Sequence, residues 1–455
     1  MSSHPRGPVN LDAPVRFADA LPEAVDVVIV GGGVIGVASA LYMRAEGLSV
    51  VLVEKGRIGC EQSSRNWGWV RQHGRDEDEL PVMTEANRLW GELDARVKGA
   101  TGFRRCGIVY LASSEKALAE REAWLEVAKR HQLKTRVLSS REVAERIDQG
   151  GLETAHRWQG ATITEDDGRA EPWQAVPALA RLAQEEGVVL RENCAARALV
   201  TTNGRIEAVV TEAGTIRCEQ VLVAAGAWSS LFLERHGIAI PQLSVRSTVS
   251  ATAAMPAVFE GCAADESLAF RRREDGGYTV SMPDLHDLYI GPSAFRHFFK
   301  WLPVASKHWR ATRFHPKAPK GFPDGWGTAR NWAEDEETPF ERCRVLEPVP
   351  ETRKREKLRE AFAARFPQLG KPRLIATWAG MIDAMPDIVP ICDRVPAIDG
   401  LMLATGMSGH GFGIGPGYGK AMAKIAAGKD TGHDMSRFRF SRFSDGSKMR
   451  PGPAI

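Results

Sequence analysis

The stretch from Val25 to Glu54, VDVVIVGGGVIGVASALYMRAEGLSVVLVE, decides the fold of this chain. Its apolar, β-branched run Val25–Val30 predicts a buried strand that leads into a glycine cluster. A helical segment then ends near Gly47, and a second apolar run, Leu48–Val53, predicts the next strand. The stretch therefore predicts one strand–helix–strand unit.

The glycines of this unit have the spacing Gly31-x-Gly33-x-x-Gly36 at the first turn. Glycine there lets the chain turn tightly and lets a pyrophosphate approach the backbone amides of a helix N-terminus, where the helix dipole is positive. Glu54 lies 21 residues after Gly33, near the ~20-residue offset of a carboxylate that binds ribose hydroxyls. In this context the pattern predicts that a dinucleotide binds.

The composition is that of an ordinary globular protein, long enough for about two or three domains. Of its 455 residues 43% are hydrophobic and 26% are charged, and the net charge of +3 gives no reason to expect a nucleic acid partner. The seven cysteines are widely scattered without a C-x-x-C pair, which favours reduced thiols over a disulfide framework or a metal site.

No segment of the sequence is predicted to be a signal peptide or a membrane span. The first 24 residues lack the apolar core of a signal peptide. Residues 25–43 are apolar enough for a span, but Asp26, the glycines and the following strand fit a nucleotide fold better. We therefore expect a cytoplasmic protein without a transmembrane helix.

Hydrophobic periodicity and turn residues place further elements along the chain. A capping-box pattern, Ser139-x-x-Glu142, opens one predicted helix. The predicted helices cover residues 76–98, 114–132, 140–148, 172–187 and 351–365, and the predicted strands cover residues 106–112, 188–191, 195–200, 206–212, 219–225, 373–383 and 400–405. This mixture predicts an α/β (α+β) fold.

A second glycine-rich turn lies in Leu401–Gly417, LMLATGMSGHGFGIGPG, where a buried strand breaks into glycines and a helix opens near Ile414–Pro416. A second helix N-terminus can meet the far end of a long dinucleotide. If that end is an isoalloxazine ring, the helix dipole stabilises the negative charge that the ring gains on reduction, whereas a nicotinamide ring gains none. The segment favours a flavin; tight packing of a small-residue helix is the alternative explanation.

The chain resembles the FAD-dependent amine and amino acid oxidases of the D-amino acid oxidase/sarcosine oxidase superfamily, which share a glutathione-reductase-like flavin fold. The resemblance rests on VVIVGGGVIGVASALYMRAEGLSVVLVEK, the loop EQSSRN, VLVAAGAW and ATGMSGHGFGIGPGYGK, in the family's order. It implies that FAD binds without a covalent bond. The residues that it places at FAD are Gly31, Gly33, Val34, Ile35, Gly36, Glu54, Lys55, Gln62, Ser63, Ser64, Arg65, Asn66, Ala195, Ala225, Gly226, Trp228, Gly409, His410, Gly411, Phe412 and Gly413.

The resemblance also implies two domains, an FAD-binding domain built from a discontinuous chain and a substrate-binding domain with a mixed sheet. The FAD-binding domain is expected to comprise residues 1–90, 150–240 and 370–440, and the substrate domain residues 91–149 and 241–369.

Within that superfamily the chain is most similar to bacterial L-amino acid deaminases. The matching segments are GCEQSSR, NCAARAL, FRRREDGGY, KWLP, ETPFERCR and ATWAGMIDAMPDIVPI. The resemblance implies that Arg271 binds the substrate carboxylate, a task that suits the planar fork of arginine. The chain departs from the deaminases at Trp69, where they have a side-chain amide, and at Met407, where they have an indole.

We therefore predict oxidation of an L-amino acid to an imino acid, which hydrolyses to a 2-oxo acid and ammonia, with oxygen or the respiratory chain as electron acceptor. Trp378 is expected at the wall of the substrate pocket, and His410 is a candidate base, although a histidine among glycines more often packs.

Other substrates and roles stay open on the sequence. Arg71 lies about where sarcosine-type oxidases have their carboxylate-binding arginine, so a sarcosine or secondary-amine oxidase is one alternative, and a D-amino acid dehydrogenase is another. Sarcosine-type oxidases attach their flavin to a cysteine, which residues 374–383 lack. A membrane-docked electron-relay flavoprotein and a nicotinamide dehydrogenase are alternatives of other classes.

Residues 289–322 form a basic, aromatic insert without an acidic residue. Its cations are Arg296, Lys300, Lys307, Arg310, Arg313, Lys317 and Lys320, and eight aromatic residues lie among them. Such a segment suits the headgroup region of an anionic membrane. The deaminases that the chain resembles have a membrane-associating insertion near here, which implies peripheral contact with the inner face of a membrane. An ordinary packed insert or a dimer contact is the alternative, and no nucleic acid is expected.

Overall fold

The computed structural model describes residues 7–148, 158–283, 286–308 and 312–452. The helices in that part of the chain are α1 (Val34–Ala45), α2 (Gln62–Arg65), α3 (Leu80–Arg96), α4 (Glu115–Glu122), α5 (Leu125–Arg130), α6 (Ser140–Arg146), α7 (Pro172–Glu185), α8 (Ser229–Glu234), α9 (Pro292–Arg296), α10 (Phe298–His308), α11 (Pro339–Arg342), α12 (Thr352–Arg365) and α13 (Gly411–Ala426).

The strands are β1 (Ala24–Val30), β2 (Val50–Val53), β3 (Trp69–Val70), β4 (Arg104–Arg105), β5 (Ile108–Ala112), β6 (Thr135–Ser139), β7 (Gly160–Thr164), β8 (Gly168–Arg169), β9 (Val189–Arg191), β10 (Ala196–Thr202), β11 (Arg205–Thr211), β12 (Gly214–Val223), β13 (Leu243–Thr252), β14 (Cys262–Ala264), β15 (Ala269–Arg272), β16 (Tyr278–Ser281), β17 (His286–Tyr289), β18 (Thr312–His315), β19 (Leu374–Ala384), β20 (Ile391–Arg394) and β21 (Leu401–Thr405).

The first sheet has eight strands and contains the predicted strand–helix–strand unit. Its order is β10-β11-β12-β1-β2-β9, and β21 pairs with β12 and β20. The strands β9, β2, β1, β12 and β21 run parallel, so their carboxyl ends meet at one edge. In parallel sheets ligands bind at that edge, which is where the functional site lies.

Helices α1 and α13 cross this sheet on one face and pack closely because glycines line their contact. A Cβ on Gly415 would lie 2.8 Å from a methyl group of Val34, and one on Gly419 would lie 2.6 Å from the Cβ of Ala38. Both glycine-opened helices therefore bring their N-termini to the same edge of the sheet.

The second sheet has ten strands in the order β18-β17-β13-β16-β15-β14-β5-β7-β6, with β19 paired to β13. Its membership corrects two boundaries of the expected domains. Gly160–Thr164 and Leu374–Ala384 belong to this sheet, although their ranges were expected in the FAD-binding domain. Pairing between strands distant in sequence determines which sheet they join, and β19 pairs along nearly the whole of β13.

Two predicted helices differ from the observed ones. The range 114–132 forms two helices, α4 and α5, because Ala123 and Trp124 form a turn between them. The helix expected from residue 76 begins with a short 3-10 turn, Glu77–Glu79, before α3. The capping box of Ser139 and Glu142 is present as predicted.

The basic insert contains α9, α10 and β18 and presents aromatic side chains to solvent. Phe298 and Phe299 are 51% and 85% exposed, and Phe295, Leu302 and Phe314 are exposed as well. Trp309 and Arg310 lie outside the described residues. No helix in the described ranges is long and apolar enough to cross a membrane.

Candidate active site

A cavity of about 680 Å³ lies at the edge where the carboxyl ends of β1, β2, β12 and β21 meet. Most of the residues that the sequence predicts for the site line it. These are Gly31, Gly33, Val34, Ile35, Glu54, Lys55, Gln62, Ser63, Arg65, Asn66, Trp69, Arg71, Ala225, Gly226, Trp228, Met407, Gly409, His410, Gly411, Phe412 and Gly413.

One end of the cavity is formed by the first glycine turn. Gly31 has φ +112°, and a Cβ there would lie 2.5 Å from the carbonyl oxygen of Ala224, so a side chain cannot be accommodated. The Glu54 carboxylate accepts hydrogen bonds of 2.7 Å from the backbone N–H groups of Gly32 and Gly56. These bonds fix the carboxylate at the cavity wall, although burial raises its pKa.

The loop after β2 lines the cavity beside this turn. The hydroxyl of Ser63 accepts a hydrogen bond from the Val34 N–H at 2.9 Å, at the start of α1. The Lys55 ammonium lies 2.7 Å from a Glu61 carboxylate oxygen and 4.3 Å from the centre of the Trp228 ring. The loop is therefore held against both α1 and the end of β12.

The other end of the cavity is formed by the second glycine turn. Helix α13 begins at Gly411, and a Cβ on Gly413 would lie 2.9 Å from the Trp69 carbonyl oxygen and 3.1 Å from the Val70 Cα. The Trp90 indole donates a 2.8 Å hydrogen bond to the Gly413 carbonyl. Glycine is needed at this position because the backbone of β3 lies against the helix. The first residues of α13 line the cavity. One glycine-lined end at each helix N-terminus fits a long dinucleotide such as FAD.

Five residues expected at FAD or in the pocket do not line the cavity. Gly36 packs on the Gly31 carbonyl, which a Cβ would approach to 2.0 Å, and the Ser64 hydroxyl accepts a hydrogen bond from Val9 N–H at 3.1 Å. Both backbone groups of Ala195 are bonded to Glu212, and its neighbour Ala196 lines the cavity instead.

The fourth residue is Trp378, which is buried beside the cavity rather than in its wall. Its indole donates a 3.0 Å hydrogen bond to the Arg65 carbonyl, and its ring packs edge-to-face on Trp173. These contacts make Trp378 a packing residue that supports the loop containing Arg65.

Arg271, the fifth of these residues, does not line the cavity either, although the resemblance implies that it binds the substrate carboxylate. Its guanidinium is 1% exposed and forms a bidentate ion pair with Glu171, which is also 1% exposed. Nη2 also donates to the Thr279 hydroxyl at 3.2 Å, and the backbone of Gly68 lies against Nε. Both ends of the fork are therefore occupied by the protein itself.

Arg71, by contrast, lines the cavity, and the residues that follow it in the chain are fixed by hydrogen bonds. Its Nη1 donates to the His73 carbonyl at 2.5 Å. The buried Asp167 carboxylate accepts hydrogen bonds from the backbone N–H groups of Gln72 at 2.7 Å and of His73 at 3.1 Å. Burial raises the pKa of Asp167 to about 6.

A wall of aromatic rings surrounds Arg71. The rings of Trp67, Trp69, Tyr110, His73 and Trp124 follow one another at centroid distances of 5.3, 6.0, 4.5 and 5.0 Å, and all five line the cavity. Such a wall contacts an apolar side chain over a large area.

Tyr110 stands between two cations of the cavity. The Arg71 guanidinium lies 5.9 Å from the ring centre, and that of Arg121, on α4, lies 5.5 Å from it. Arg121 also donates to the Leu111 carbonyl at 2.8 Å and faces Glu266 at 3.5 Å. Arg71 and Arg121 are thus two cationic positions on one wall.

The sequence did not single out His73, Arg75, Tyr110, Trp124 or Arg121. His73 and Arg75 could have been predicted, because they lie two and four residues after the candidate Arg71 in the sequence. Tyr110 lies in an apolar strand and Trp124 in a helix break, where nothing in the sequence distinguishes them from core residues.

His410 lies at the start of α13 in a buried polar cluster. Its Nδ1 is 3.5 Å from a Glu79 oxygen, and its carbonyl accepts a hydrogen bond from Arg75 at 3.3 Å. Burial, together with Arg75 and Arg71, holds the pKa of His410 well below its usual value. Neither ring nitrogen has a hydrogen-bond partner among the described residues. The imidazole is therefore neutral at pH 7.

Comparison with known proteins agrees with this geometry. Residues 26–425 match the family described as DAO, FAD dependent oxidoreductase. The structure of the L-amino acid deaminase from Proteus myxofaciens in complex with anthranilate superposes with a TM-score of 0.89 at 28% identity, covering 96% of this chain and 98% of that one.

Two relatives were found by sequence. The glycine oxidase of Pseudomonas aeruginosa is 26% identical over 416 residues, which cover 89% of this chain and 95% of that protein. The sarcosine oxidase subunit beta of Rhodobacter capsulatus is 23% identical over 425 residues, which cover 92% of this chain and 89% of that protein.

Proposed function

Because the chain belongs to the DAO family of FAD-dependent oxidoreductases, we propose that it oxidises L-amino acids that have large apolar or aromatic side chains. The family makes it an FAD-dependent oxidoreductase of amino acids or amines. FAD, when bound, supplies the hydride acceptor, and the product imino acid hydrolyses to a 2-oxo acid and ammonia. The observation that carries the proposal is a cavity-lining arginine set into an aromatic wall beside the second glycine turn.

Arg71 is the proposed anchor of the substrate carboxylate. It lines the cavity between Trp69 and His73, whereas the fork of Arg271 is bonded to Glu171. A charge-assisted hydrogen bond to a carboxylate fixes both the position and the orientation of a small substrate. Arg71 thereby determines which hydrogen of the substrate is presented for transfer.

The aromatic wall determines the proposed side-chain preference. Trp67, Trp69, Tyr110 and Trp124 offer ring faces and edges, and burial of an apolar side chain against them is favourable by about 25 cal/mol per Å². The Proteus myxofaciens deaminase was solved with anthranilate, an aromatic carboxylate, at 28% identity to this chain. We propose that a ligand of the same class binds in the cavity beside Arg71.

His410 keeps the neighbourhood of the reaction free of an additional positive charge. Its low pKa leaves it neutral, so it does not oppose the binding of the substrate ammonium. The packed rings on the aromatic side of the cavity offer water no hydrogen-bonding group on their faces, which favours an apolar side chain there. These residues orient and shelter the substrate, and the chemistry belongs to the cofactor.

The test is anaerobic flavin reduction by paired panels of L- and D-amino acids, glycine and N-methyl amines. The proposal expects the flavin absorbance to bleach fastest with a large apolar L-amino acid such as phenylalanine or leucine. Bleaching by D-amino acids alone, or by sarcosine or glycine in preference to all L-amino acids, would contradict it and would support the amine oxidase alternative.

We further propose that the enzyme contacts the inner face of an anionic membrane through the insert and passes electrons to a respiratory acceptor rather than to oxygen. Five apolar side chains, from Phe295 to Phe314, are exposed on α9, α10 and β18. Lys300 lies among them and forms no ion pair within the described residues. Exposed aromatic rings next to cations suit the lipid headgroup region.

A further inference from the structure

Two cysteines, Cys106 and Cys262, lie side by side behind the aromatic wall. Cys262 is the first residue of β14 and pairs with Ile108 of β5, two residues after Cys106. The backbones also touch, since a Cβ on Gly261 would lie 3.1 Å from the Cys106 carbonyl oxygen. Both side chains belong to one cluster with Trp69, and each thiol affects the pKa of the other.

The surroundings shift the pKa values of the two thiols in opposite directions. The neighbouring Cys262 thiol lowers the pKa of Cys106, and the guanidinium groups of Arg169 and Arg271 lower it further, against the effect of burial. Burial and the neighbouring Cys106 thiol raise the pKa of Cys262. Cys106 is partly exposed and Cys262 is buried. Cys106 is therefore the thiol of the pair that loses its proton first, and it is also the one that a reagent can reach.

The other cysteines lack this combination. Burial raises the pKa of Cys60, Cys194, Cys218, Cys343 and Cys392. Cys343 is the informative comparison, because it is partly exposed like Cys106 while its pKa is raised to about 11. Exposure alone does not make a thiol reactive; the thiolate is the nucleophile.

We propose that Cys106 and Cys262 are an oxidation site at which a hydroperoxide forms an intramolecular disulfide. The Cys106 thiolate attacks the peroxide oxygen, the O–O bond breaks, and with one proton a sulfenic acid and water (or an alcohol) result. The Cys262 sulfur then attacks the Cys106 sulfur; an S–S bond forms and a second water leaves with the Cys262 proton. Two thiols are oxidised and one peroxide is reduced.

The disulfide would join two strands that both carry cavity residues. Tyr110 lies on β5, and Ala264 ends β14, followed by Asp265 and Glu266. The bond ties the beginning of β5 to the beginning of β14 and thereby fixes the wall that holds Tyr110. The site does not depend on which substrate the enzyme oxidises.

The test is peroxide treatment of the full-length holoenzyme, followed by alkylation and mass spectrometry. We expect a loss of about 2 Da with two fewer alkylated thiols, reversed by dithiothreitol. Trypsin should yield residues 106–116 linked to residues 247–271. Before oxidation, Cys106 should react with iodoacetamide at pH 7 at least ~10-fold faster than Cys343.

Two variants separate the disulfide from other oxidation. Cys106→Ser should abolish the mass loss, and Cys262→Ala should leave Cys106 to accumulate as a sulfenic or sulfinic acid, whereas the control Cys343→Ser should behave as the wild type. A wild-type holoenzyme that shows no linked peptide, or that links Cys106 to another cysteine, would overturn the proposal.

Discussion

Arg271 and Glu171 form a buried bidentate ion pair, in which Nη1 lies 2.9 Å from Oε1 and Nη2 lies 3.1 Å from Oε2. Glu171 also accepts hydrogen bonds from Arg169 at 3.2 Å and from the Glu274 N–H at 3.0 Å. The pair thus connects the start of α7 to β15. Arg271 therefore stabilises the packing next to the cavity. Of these two arginines, Arg71 is the one that lines the cavity.

Replacing Arg271 with methionine should therefore reduce stability more than substrate binding. Breaking a buried ion pair costs about 3–5 kcal/mol, and the cost here lies at the lower end because Glu171 keeps Arg169 as a partner. We expect the free energy of unfolding, measured by urea denaturation, to fall by that amount in Arg271→Met. The double variant Arg271→Met/Glu171→Gln should recover part of the loss, because a neutral amide oxygen can still accept the hydrogen bonds from Arg169 and the Glu274 N–H. A variant of unchanged stability whose substrate KM rises steeply would show that Arg271 binds the substrate.

The two glycine turns were predictable because their determinants are local. Gly31 and Gly413 lie next to strands and open helices in the sequence itself, and the structure places both at one cavity. The sequence could not show that the Arg271 side chain pairs with Glu171, because the two residues are 100 positions apart. The same holds for Trp378, whose partner Arg65 is 313 residues away. Local patterns predicted the two glycine-lined ends of the cavity, whereas partners distant in sequence decided which other side chains line it.

The second glycine turn should be essential for FAD binding. In Gly413→Ala the new methyl group would lie 2.9 Å from the Trp69 carbonyl oxygen, so α13 must move away from β3. We expect the apoprotein to bind FAD at least ~10-fold more weakly, measured by fluorescence titration. The matched control is Gly327→Ala, because a Cβ there meets nothing within 4 Å. Equal FAD affinity in both variants would show that this contact does not shape the site.

Asp167 should make stability depend on pH. Its pKa is about 6 in the folded protein against an ordinary value of 3.8, so the folded state binds the proton more tightly. The resulting stabilisation is fully present below pH 3.8 and is lost as pH rises through 6, a change of about 3 kcal/mol. We expect the difference in unfolding free energy between wild type and Asp167→Asn to change by about 2.4 kcal/mol, most of the full amount, from pH 4 to pH 7. A difference that stays constant over that range would contradict the assignment.

Asp167 should also couple pH to substrate binding. Its ionised carboxylate accepts the hydrogen bonds from Gln72 and His73 that hold the segment of Arg71. Substrate KM should therefore fall as pH rises through about 6 in the wild type. In Asp167→Asn this step should be absent, with kcat measured in parallel to separate binding from chemistry.

The exposed rings of the insert should support membrane binding. In Phe298→Ser/Phe299→Ser two apolar side chains are removed from the surface without loss of core packing. We expect binding to anionic lipid vesicles in a sedimentation assay to weaken at least ~10-fold. Val349→Ser is the control, because Val349 is also highly exposed but lies outside the insert. Identical binding of both variants would exclude the insert as the contact.

The most direct test of the account is whether Arg71 binds the substrate carboxylate. It compares Arg71→Met with Arg121→Met, since both arginines line the cavity and flank Tyr110. The measured quantity is the concentration of the fastest-reacting L-amino acid that gives half the maximal rate of anaerobic flavin reduction. The account predicts a rise of about 10- to 100-fold in Arg71→Met, with FAD still bound, and at most about threefold in Arg121→Met. An unchanged value in Arg71→Met would contradict it.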